Sequence, residues 1–394
     1  MNNLETIENS EKYLFHLYNR QKVSFVKGEN VYLYDADGKK YLDFGSGIGV
    51  NAIGYNDKEF NEYIKNQVDK IIHVSNLFYS ENLYNASKNV IDITGLSKVF
   101  FTNSGAEAIE GAIKTAKKYG YLTNKNKTKI ISMQNSFHGR TLGSLSVTGN
   151  YKYREPFYPL IDNIHFAEYN NIESVKNLMD ETVCAVILET LQGEGGVYNV
   201  NEDFIKDLRK LCDEYDSLLI LDEIQCGMGR TGSYFCYEKY GIKPDILTTA
   251  KALGLGIPVG AFVVNEKVSN NSLIPGDHGS TCGGNPLATA AVYKSIEIMK
   301  KRKIVDNVKN LSEYLDDTLK YFLNKFDFVK EVRGIGFMRG LVVDKPISAI
   351  IENALREGLV ILSAGKNVLR FLPPLVITKD NIDEFKYKLE KALG

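Results

Sequence analysis

A lysine, Lys251, stands between an apolar strand pattern and a glycine-rich loop, in the segment ILTTAKALGLGIPVGAFVV (246–264). Packing alone does not require a charge at such a position. A lysine whose surroundings lower its pKa can act as an amine nucleophile, because its neutral form is then accessible. The rest of the chain must therefore supply partners for this amine.

Carboxylates and an amide follow two other apolar runs. Asp222 closes the run LLILD, Glu223 comes next, and Gln225 lies in the loop that follows. A carboxylate at the end of a buried strand is costly unless a cation meets it or the strand end has reached water, and both interpretations stay open. Glu189 ends the run AVILE and needs a partner for the same reason, whereas Glu194, in a glycine-flanked loop, is compatible with an ordinary solvated charge.

The segment after VFFTN predicts a helix that could bind an anion. Apolar residues recur at i, i+3, i+4 and i+7 through Ile109 to Ala116, which predicts an amphipathic helix that ends at Gly120. The segment 104–106, with Ser104, Gly105 and Ala106, lies at its start, where free N–H groups and the helix dipole favour an anion such as phosphate. An ordinary serine N-cap explains the same residues.

A loop after the run KIISM carries an aromatic residue and an arginine, Phe137 and Arg140, in QNSFHGRTLG. An aromatic ring could stack on a planar ligand, and an arginine could bind a carboxylate. An ordinary exposed loop would have the same composition.

The elements that position these residues form a mostly parallel sheet. Between about residues 85 and 265, six apolar runs alternate with helical patterns, which is typical of an α/β sheet covered on both faces. Those runs are KVFFTN, KIISM, AVILE, LLILD, DILTT and AFVV. Ligands bind at the carboxyl ends of such strands, where the residues above meet. This set of groups predicts a pyridoxal phosphate site. Lys251 could react with the cofactor's aldehyde, Asp222 could pair with its ring nitrogen, and the helix start at 104–106 could bind its phosphate.

The flanking segments predict further elements. VYLYDADGKKYLDF (31–44) alternates around a D-G turn and predicts a β-hairpin. TNKNKTK (123–129) predicts a solvated loop, and 283–301 a long helix. Beyond it, FVKEVRGIGFMRGLVVD predicts short strands, with helices near 349–357 and 382–392, so the chain is expected to end in a smaller α+β domain. We expect an N-terminal segment, 1–60, that packs with this small domain, a large cofactor-binding domain, 61–282, and the small domain, 283–394.

Composition narrows the functional class. The chain has 394 residues, enough for two domains, and its 48 basic and 49 acidic residues nearly cancel, so neither nucleic acid nor a membrane is an expected partner. Five scattered cysteines without a C-x-x-C pair predict reduced thiols in a cytoplasmic protein, and no metal site. We expect no signal peptide and no membrane span.

One glycine-rich segment, GSGIGVNAIG (45–54), is similar to a dinucleotide-binding loop. Val50 or Ala52 replaces the third glycine of the G-x-G-x-x-G pattern, depending on the register, and no helical pattern follows. NAD binding is therefore not predicted.

Several longer motifs in this order resemble those of the class III aminotransferases, a fold-type I pyridoxal phosphate family. They are TNSGAEA, FHGRTLG, QGEGGV, LDEIQCGMGRTG, TTAKALGLGIPVGA, HGSTCGGNPLA and LRFLPPLVI. The resemblance covers nearly the whole chain and implies a large domain with a mostly parallel seven-stranded sheet and a smaller α+β domain.

For the cofactor, the resemblance implies a role for each of several residues. Lys251 would be the Schiff-base lysine, and Asp222 would bind the pyridine nitrogen. Gln225 would bond the phenolic oxygen, Phe137 would stack on the ring, and Glu189 would be an acid behind these groups.

The phosphate would be held by Ser104, Gly105 and Ala106. Thr281, in HGSTCGG, would reach the phosphate of the neighbouring subunit's cofactor, which implies a homodimer with active sites at the subunit interface.

For the substrates, the resemblance implies that Arg140 and Arg370 bind carboxylates. Glu194 would pair with Arg370 when the amino donor is bound, and Ser280 and Tyr18 would lie near the substrate. Within the family, the motifs favour transfer of the δ-amino group of N2-acetyl-L-ornithine to 2-oxoglutarate. The products would be N-acetyl-L-glutamate 5-semialdehyde and L-glutamate, in arginine biosynthesis.

Other amino donors remain open. Ornithine δ-aminotransferases usually carry a tyrosine where this chain has Ile48, and an apolar residue there fits an acetylated donor better. Ile48 would also suit 4-aminobutyrate. A non-catalytic binding protein is the remote alternative, disfavoured because Lys251, Asp222 and both arginines are present.

The chain departs from the common family pattern where no group performs chemistry. The departures are Thr190, Ile109, Cys226, and the residues Tyr55, Asp57 and Lys58 in the turn GYNDK. We expect them to change loop shape and not activity.

Overall fold

The computed structural model describes all 394 residues and centres on a seven-stranded sheet. All neighbouring strands run parallel except Gly260–Val264, which is antiparallel to both of its neighbours. From one edge to the other the strands are Lys98–Thr102, Gly260–Val264, Ile246–Thr249, Leu218–Asp222, Val183–Glu189, Lys129–Met133 and Ile164–Ala167. This confirms the mostly parallel α/β sheet.

The six predicted strands are present, each within about two residues of its predicted bounds. The seventh strand, Ile164–Ala167, was not predicted, because its four residues IHFA include a histidine and give no continuous apolar run. It lies at the sheet edge and pairs with Lys129–Met133, so it needs to be buried less than the central strands.

Apolar side chains alternate between the two faces of the central strands, so both faces of the sheet are buried. Ile187 and Ile220 pack with Ile109 of the helix Gly105–Thr123 in one apolar cluster. Leu188 and Leu221 face the other way, into a larger cluster that also includes Phe204 and Leu208 of the helix Glu202–Glu214. Burial on both faces explains why these strands consist almost entirely of apolar residues.

The predicted end of the first of these helices at Gly120 is wrong, since the helix continues to Thr123. Gly120 is required for close packing instead. A Cβ there would lie 2.1 Å from the backbone oxygen of Lys127 and 2.6 Å from the Cβ of Cys184.

The N-terminal part of the chain forms its own four-stranded sheet. Tyr32–Asp35 and Lys40–Asp43 pair antiparallel, which confirms the predicted hairpin, and Phe25–Glu29 adds on one side. Leu359–Val360, from the C-terminal part, adds parallel to Lys40–Asp43 on the other side.

The C-terminal part has the predicted α+β composition. Two long helices, Pro286–Lys301 and Ile304–Lys325, precede a four-stranded antiparallel sheet; the second of these helices was not predicted. The strands are Val329–Ile335, Met338–Val343, Leu362–Ala364 and Val368–Phe371, and the flanking helices are Ile347–Arg356 and Lys379–Leu393. The domain boundaries at residues 60 and 282 stay a prediction.

Further helices and short elements complete the fold. The other α-helices are Asn3–Tyr13, Ser46–Gly49, Lys58–Lys70, Glu81–Thr94, Leu142–Ser146, Tyr151–Arg154, Ile172–Lys176 and Glu266–Asn270. The 3-10 helices are Glu155–Phe157, Cys236–Tyr240 and Lys251–Leu253, and Leu191–Gln192 pairs with Tyr198–Asn199. None of the helices combines the length and the apolar character that a membrane crossing requires.

Candidate active site

The carboxyl ends of the parallel strands surround a cavity of about 440 Å³. Most of the residues that the sequence predicted for the cofactor line this one cavity. They are Ser104, Gly105, Ala106, Phe137, Asp222, Gln225 and Lys251, together with Arg140 and Glu189. The fold therefore brings together groups that lie far apart in the sequence.

Lys251 lies at the cavity wall with an amine that has no hydrogen-bond partner. Its backbone has φ of +48°, a left-handed conformation that is rare for a residue with a side chain. Burial lowers the pKa of the Lys251 amine to about 8, with a further lowering by the Arg370 guanidinium, while Glu194 and Asp222 oppose it. A substantial neutral fraction near neutral pH makes this amine a nucleophile and a base.

Asp222 is buried at the end of its strand and is held from three directions. Its Oδ1 accepts from the Ile224 N–H at 3.1 Å and from the Thr248 hydroxyl at 3.3 Å. Its Oδ2 lies 2.7 Å from Nδ1 of His138, whose other ring nitrogen, Nε2, is buried without a partner. His138 was not among the predicted site residues, and the fold places it in direct contact with this carboxylate.

The start of the helix Gly105–Thr123 provides free backbone donors at the cavity. The Ser104 hydroxyl accepts from the Glu107 N–H at 3.2 Å, so this serine is also the helix N-cap. The N–H groups of Gly105 and Ala106 precede the first intrahelical bond and have no acceptor. Gly105 leaves room for Ile224, whose Cδ1 would lie 2.8 Å from an added Cβ.

Gln225 connects the cavity to a buried ion pair. Nη1 of Arg370 donates to Oε1 of Glu194 at 2.5 Å and to Oε1 of Gln225 at 3.1 Å. Arg370 is only 3% exposed, and its Nε is buried without a partner. Neither Arg370 nor Glu194 lines the cavity directly, so both lie behind the Gln225 amide.

Two further acids are buried beside the cavity. Glu189 accepts from the N–H groups of Phe137 and Gly193 at 3.0 and 3.1 Å, and burial raises the pKa of its carboxyl to about 7, with Asp222 adding to this rise. Glu189 thus fixes the backbone beneath Phe137.

The second buried acid, Glu223, is enclosed by Thr190 and Cys226, two of the departures from the family pattern. Its carboxylate accepts from the Thr190 hydroxyl at 2.8 Å and from the Cys226 thiol at 3.2 Å. Burial raises the pKa of the Glu223 carboxyl to about 7. These two substitutions therefore satisfy a buried acid behind the cavity.

Like Arg370 and Glu194, three further predicted residues do not line the cavity of this chain. The Ser280 hydroxyl accepts from the Asn103 side chain at 3.1 Å, and Asn103 does line it. Thr281 and Tyr18 are exposed, Tyr18 by 70%. The roles of these three residues stay predictions.

The donor set fits pyridoxal phosphate. The unpartnered amine of Lys251, the carboxylate of Asp222 and the free N–H groups at 105–106 match the aldehyde, the ring nitrogen and the phosphate of that cofactor in chemical type. The Gln225 amide nitrogen, with no acceptor of its own, is left to donate to an oxygen.

A parallel α/β sheet with this donor set defines a fold-type I pyridoxal phosphate enzyme. The sequence profile of the family described as "Aminotransferase class-III" matches residues 16–393, so the chain belongs to that family.

Named relatives from other organisms match nearly the whole chain. It is 43% identical to the acetylornithine aminotransferase of Methanocaldococcus jannaschii over 98% of this chain and 97% of that one. It is 44% identical to the acetylornithine aminotransferase of Clostridium acetobutylicum over 98% of each chain. The acetylornithine aminotransferase of Aquifex aeolicus is 46% identical, over 94% of this chain and 97% of that one.

Solved structures share the fold. The ornithine aminotransferase of Toxoplasma gondii superposes with a TM-score of 0.96 at 28% identity, over 100% of this chain and 95% of that one. The acetylornithine aminotransferase of Elizabethkingia anophelis superposes with a TM-score of 0.89 at 29% identity, over 100% and 99% of the two chains.

Proposed function

We propose that the protein transfers the δ-amino group of N2-acetyl-L-ornithine to 2-oxoglutarate. The products are N-acetyl-L-glutamate 5-semialdehyde and L-glutamate, a step of arginine biosynthesis. The observation that carries this proposal is the contrast between two arginines. Arg370 is paired with Glu194, whereas Arg140 has no ion pair and no hydrogen bond on its guanidinium.

The cofactor is pyridoxal phosphate, which supplies an electron sink for the carbon that loses a proton. Lys251 would bind it covalently, Asp222 would hold its ring nitrogen protonated, and residues 104–106 would hold its phosphate. Phe137 would stack on its ring, and Gln225 would donate to its phenolic oxygen.

The protein's own groups account for the proton transfer. The amine of Lys251, neutral in part because of burial, can take the proton from the substrate carbon that bears the reacting nitrogen. The His138 contact orients the Asp222 carboxylate, which keeps its charge directed at the cavity.

Two substrates of different shape explain the two arginines. Acetylornithine carries its carboxylate far from the reacting amine, whereas glutamate has one carboxylate beside the amine and another at a distance. Arg140 would bind the distant carboxylate of either substrate. Arg370 would bind the near carboxylate of glutamate and 2-oxoglutarate, and Glu194 neutralises it when acetylornithine is bound.

Ile48 supports the acetylated donor over free ornithine. It is 44% exposed, in the turn Ser46–Gly49 that immediately precedes Val50 at the cavity wall. An apolar side chain offers no acceptor for the charged α-amine of ornithine. The three relatives that are 43%, 44% and 46% identical to this chain are acetylornithine aminotransferases, which supports the same choice.

A homodimer with shared active sites is part of the proposal. Large apolar side chains are exposed on one turn, with Leu77 at 87%, Phe78 at 63% and Tyr79 fully exposed, and the adjacent Asn76 side chain donates to the Ser280 carbonyl at 3.0 Å. A second subunit would cover such a surface. Thr281 of one subunit would then reach the cofactor phosphate of the other. A cytoplasmic location stays a prediction from the cysteine pattern.

A donor panel tests the proposed function. Protein loaded with pyridoxal phosphate is assayed with 2-oxoglutarate and acetylornithine, ornithine or 4-aminobutyrate. We expect the highest kcat/KM with acetylornithine, and a higher value with either other donor would refute the assignment. Size-exclusion chromatography with light scattering tests the dimer, which a monomeric mass would refute.

A further inference from the structure

The Arg140 guanidinium is held by aromatic rings instead of an acid. Its central carbon, Cζ, lies 3.8 Å from the centre of the Tyr153 ring and 5.3 Å from the centre of the Phe137 ring. The two rings are nearly perpendicular, at 87°, with centres 6.4 Å apart. The arginine therefore lies in a corner made by Tyr153 and Phe137, with the closer contact to Tyr153.

The backbone fixes the position of Tyr153 relative to this corner. The His138 N–H donates to the Thr148 hydroxyl at 3.0 Å, and the Gly149 N–H lies 2.9 Å from the Ser136 hydroxyl oxygen, which it donates to. The Asn150 side chain then caps the helix Tyr151–Arg154 that carries the ring. The loop with Phe137 is thus tied to the segment before the Tyr153 helix by two hydrogen bonds, one on each side of Phe137.

An aromatic support has a chemical advantage over an acidic one. A carboxylate partner would use the N–H donors of Arg140 and compete with the substrate carboxylate, as Glu194 does at Arg370. A ring face attracts the cation but accepts none of its in-plane donors, so the planar fork stays available to a carboxylate.

We propose that Tyr153 is the positioning residue for Arg140. It sets the affinity for substrates that carry a carboxylate away from the reacting amine. The inference rests on the proposed function, because it takes Arg140 as the site of that carboxylate.

The same helix offers a matched control. Tyr151 is 57% exposed and makes no contact with Arg140. Its neighbour Arg154 lies over the Phe166 ring at 3.9 Å and donates to the Tyr158 hydroxyl at 3.0 Å. Tyr151→Leu removes a tyrosine ring from the same helix without changing the corner.

The test measures binding and chemistry separately on the cofactor-loaded protein. N-acetyl-L-norvaline, which is acetylornithine without the δ-amine, cannot react, and its Kd is measured by calorimetry. n-Butylamine, a donor without a carboxylate, reports the single-turnover rate independently of Arg140. The variants are Tyr153→Leu, Tyr153→Phe, Tyr151→Leu, and proteins with mono- and trifluorinated phenylalanine at position 153.

We expect Tyr153→Leu to raise the Kd about two- to thirtyfold, the range of a cation–π contact, and Tyr153→Phe and Tyr151→Leu to change it less than about twofold. The Kd should rise with each added fluorine, because fluorine withdraws charge from the ring face without changing its size. The n-butylamine rate should stay within about twofold of wild type throughout. In an Arg140→Met background, Tyr153→Leu should weaken binding no further.

Several results would overturn the role of Tyr153. They are an unchanged Kd in Tyr153→Leu or across the fluorinated series, an equal loss in Tyr151→Leu, and an equal loss of the n-butylamine rate. If Tyr153→Leu does not fold, the fluorinated series alone tests the role of Tyr153, since fluorinated rings preserve the packing at position 153. Wild-type protein that does not transaminate acetylornithine would refute the proposed function instead.

Discussion

Replacement of Arg370 by lysine separates the two half-reactions. Arg370 is 3% exposed on the strand Val368–Phe371, donates through Nη1 to Glu194 and Gln225, and keeps Nε buried and unpartnered. In the proposed function, Arg370 releases Glu194 when glutamate binds and takes the near carboxylate with its fork. A lysine preserves the charge but has no fork.

The expected loss follows from one charged hydrogen bond. Such a bond contributes about 1.5 to 3 kcal/mol, and each 1.4 kcal/mol corresponds to about tenfold, so the glutamate half-reaction should slow by about 10- to 150-fold in kcat/KM. In the acetylornithine half-reaction, the proposed function has Arg370 neutralised by Glu194 and out of contact with the substrate. A lysine can also pair with Glu194, so this half-reaction should lose about threefold or less.

Single-turnover absorption spectroscopy measures each half-reaction on cofactor-loaded protein with one substrate at a time. Arg140→Lys is the matched control, because it removes the other fork and should slow the acetylornithine half-reaction at least as much as the glutamate one. Equal damage to both half-reactions in Arg370→Lys would refute the division of labour between the arginines and the neutralising role of Glu194.

Three further predictions concern the amine, the carboxylate and the core. Cofactor-free protein should bind pyridoxal phosphate faster as pH rises, with a midpoint near pH 8, because the Lys251 amine loses its proton there. Stopped-flow absorbance measures this rate, and a midpoint above pH 10 would contradict the lowered pKa of Lys251. Asp222→Asn should retain the cofactor less well and slow transamination by orders of magnitude, because a neutral amide no longer favours the protonated ring nitrogen; unchanged visible spectra and rates would contradict this. Gly120→Ala should lower the free energy of unfolding by about 1 to 3 kcal/mol in urea melts, because the added Cβ would overlap the Lys127 carbonyl. As a control, Leu122→Ala at an exposed position of the same helix should change the free energy of unfolding by less than about 0.5 kcal/mol.

The sequence predicts the parts of this molecule that depend on local patterns. Continuous apolar runs located six strands of the large sheet, and the polar residue directly after a run identified Asp222 and Lys251. A buried strand ends where the chain reaches a polar site or solvent. The first polar residue after an apolar run marks that point, so strand ends can be located from the sequence without knowledge of the fold.

Contacts between distant segments could not be predicted from the residues alone. The ion pair of Arg370 with Glu194 joins positions 176 residues apart and was expected only from the family resemblance. The His138 contact with Asp222, which spans 84 residues, was not expected at all. Gly120 is informative for the same reason. Its local pattern was typical of a helix end. In the structure, the position requires a glycine because the backbone of Lys127 lies too close for a Cβ, and that contact is visible only in three dimensions.

The small sheet near the N-terminus has a consequence for how the chain folds during synthesis. Its strand Lys40–Asp43 leaves the ribosome long before its parallel partner Leu359–Val360, since the paired residues Leu42 and Leu359 are 317 positions apart. The ring of Phe44 likewise stacks on Phe385, with centres 4.1 Å apart. Until then, one strand edge and an apolar ring stay uncovered, which exposes the nascent chain to edge-to-edge association. A segment synthesised early is therefore among the last to reach its native partners, and two segments far apart in the sequence become stable together.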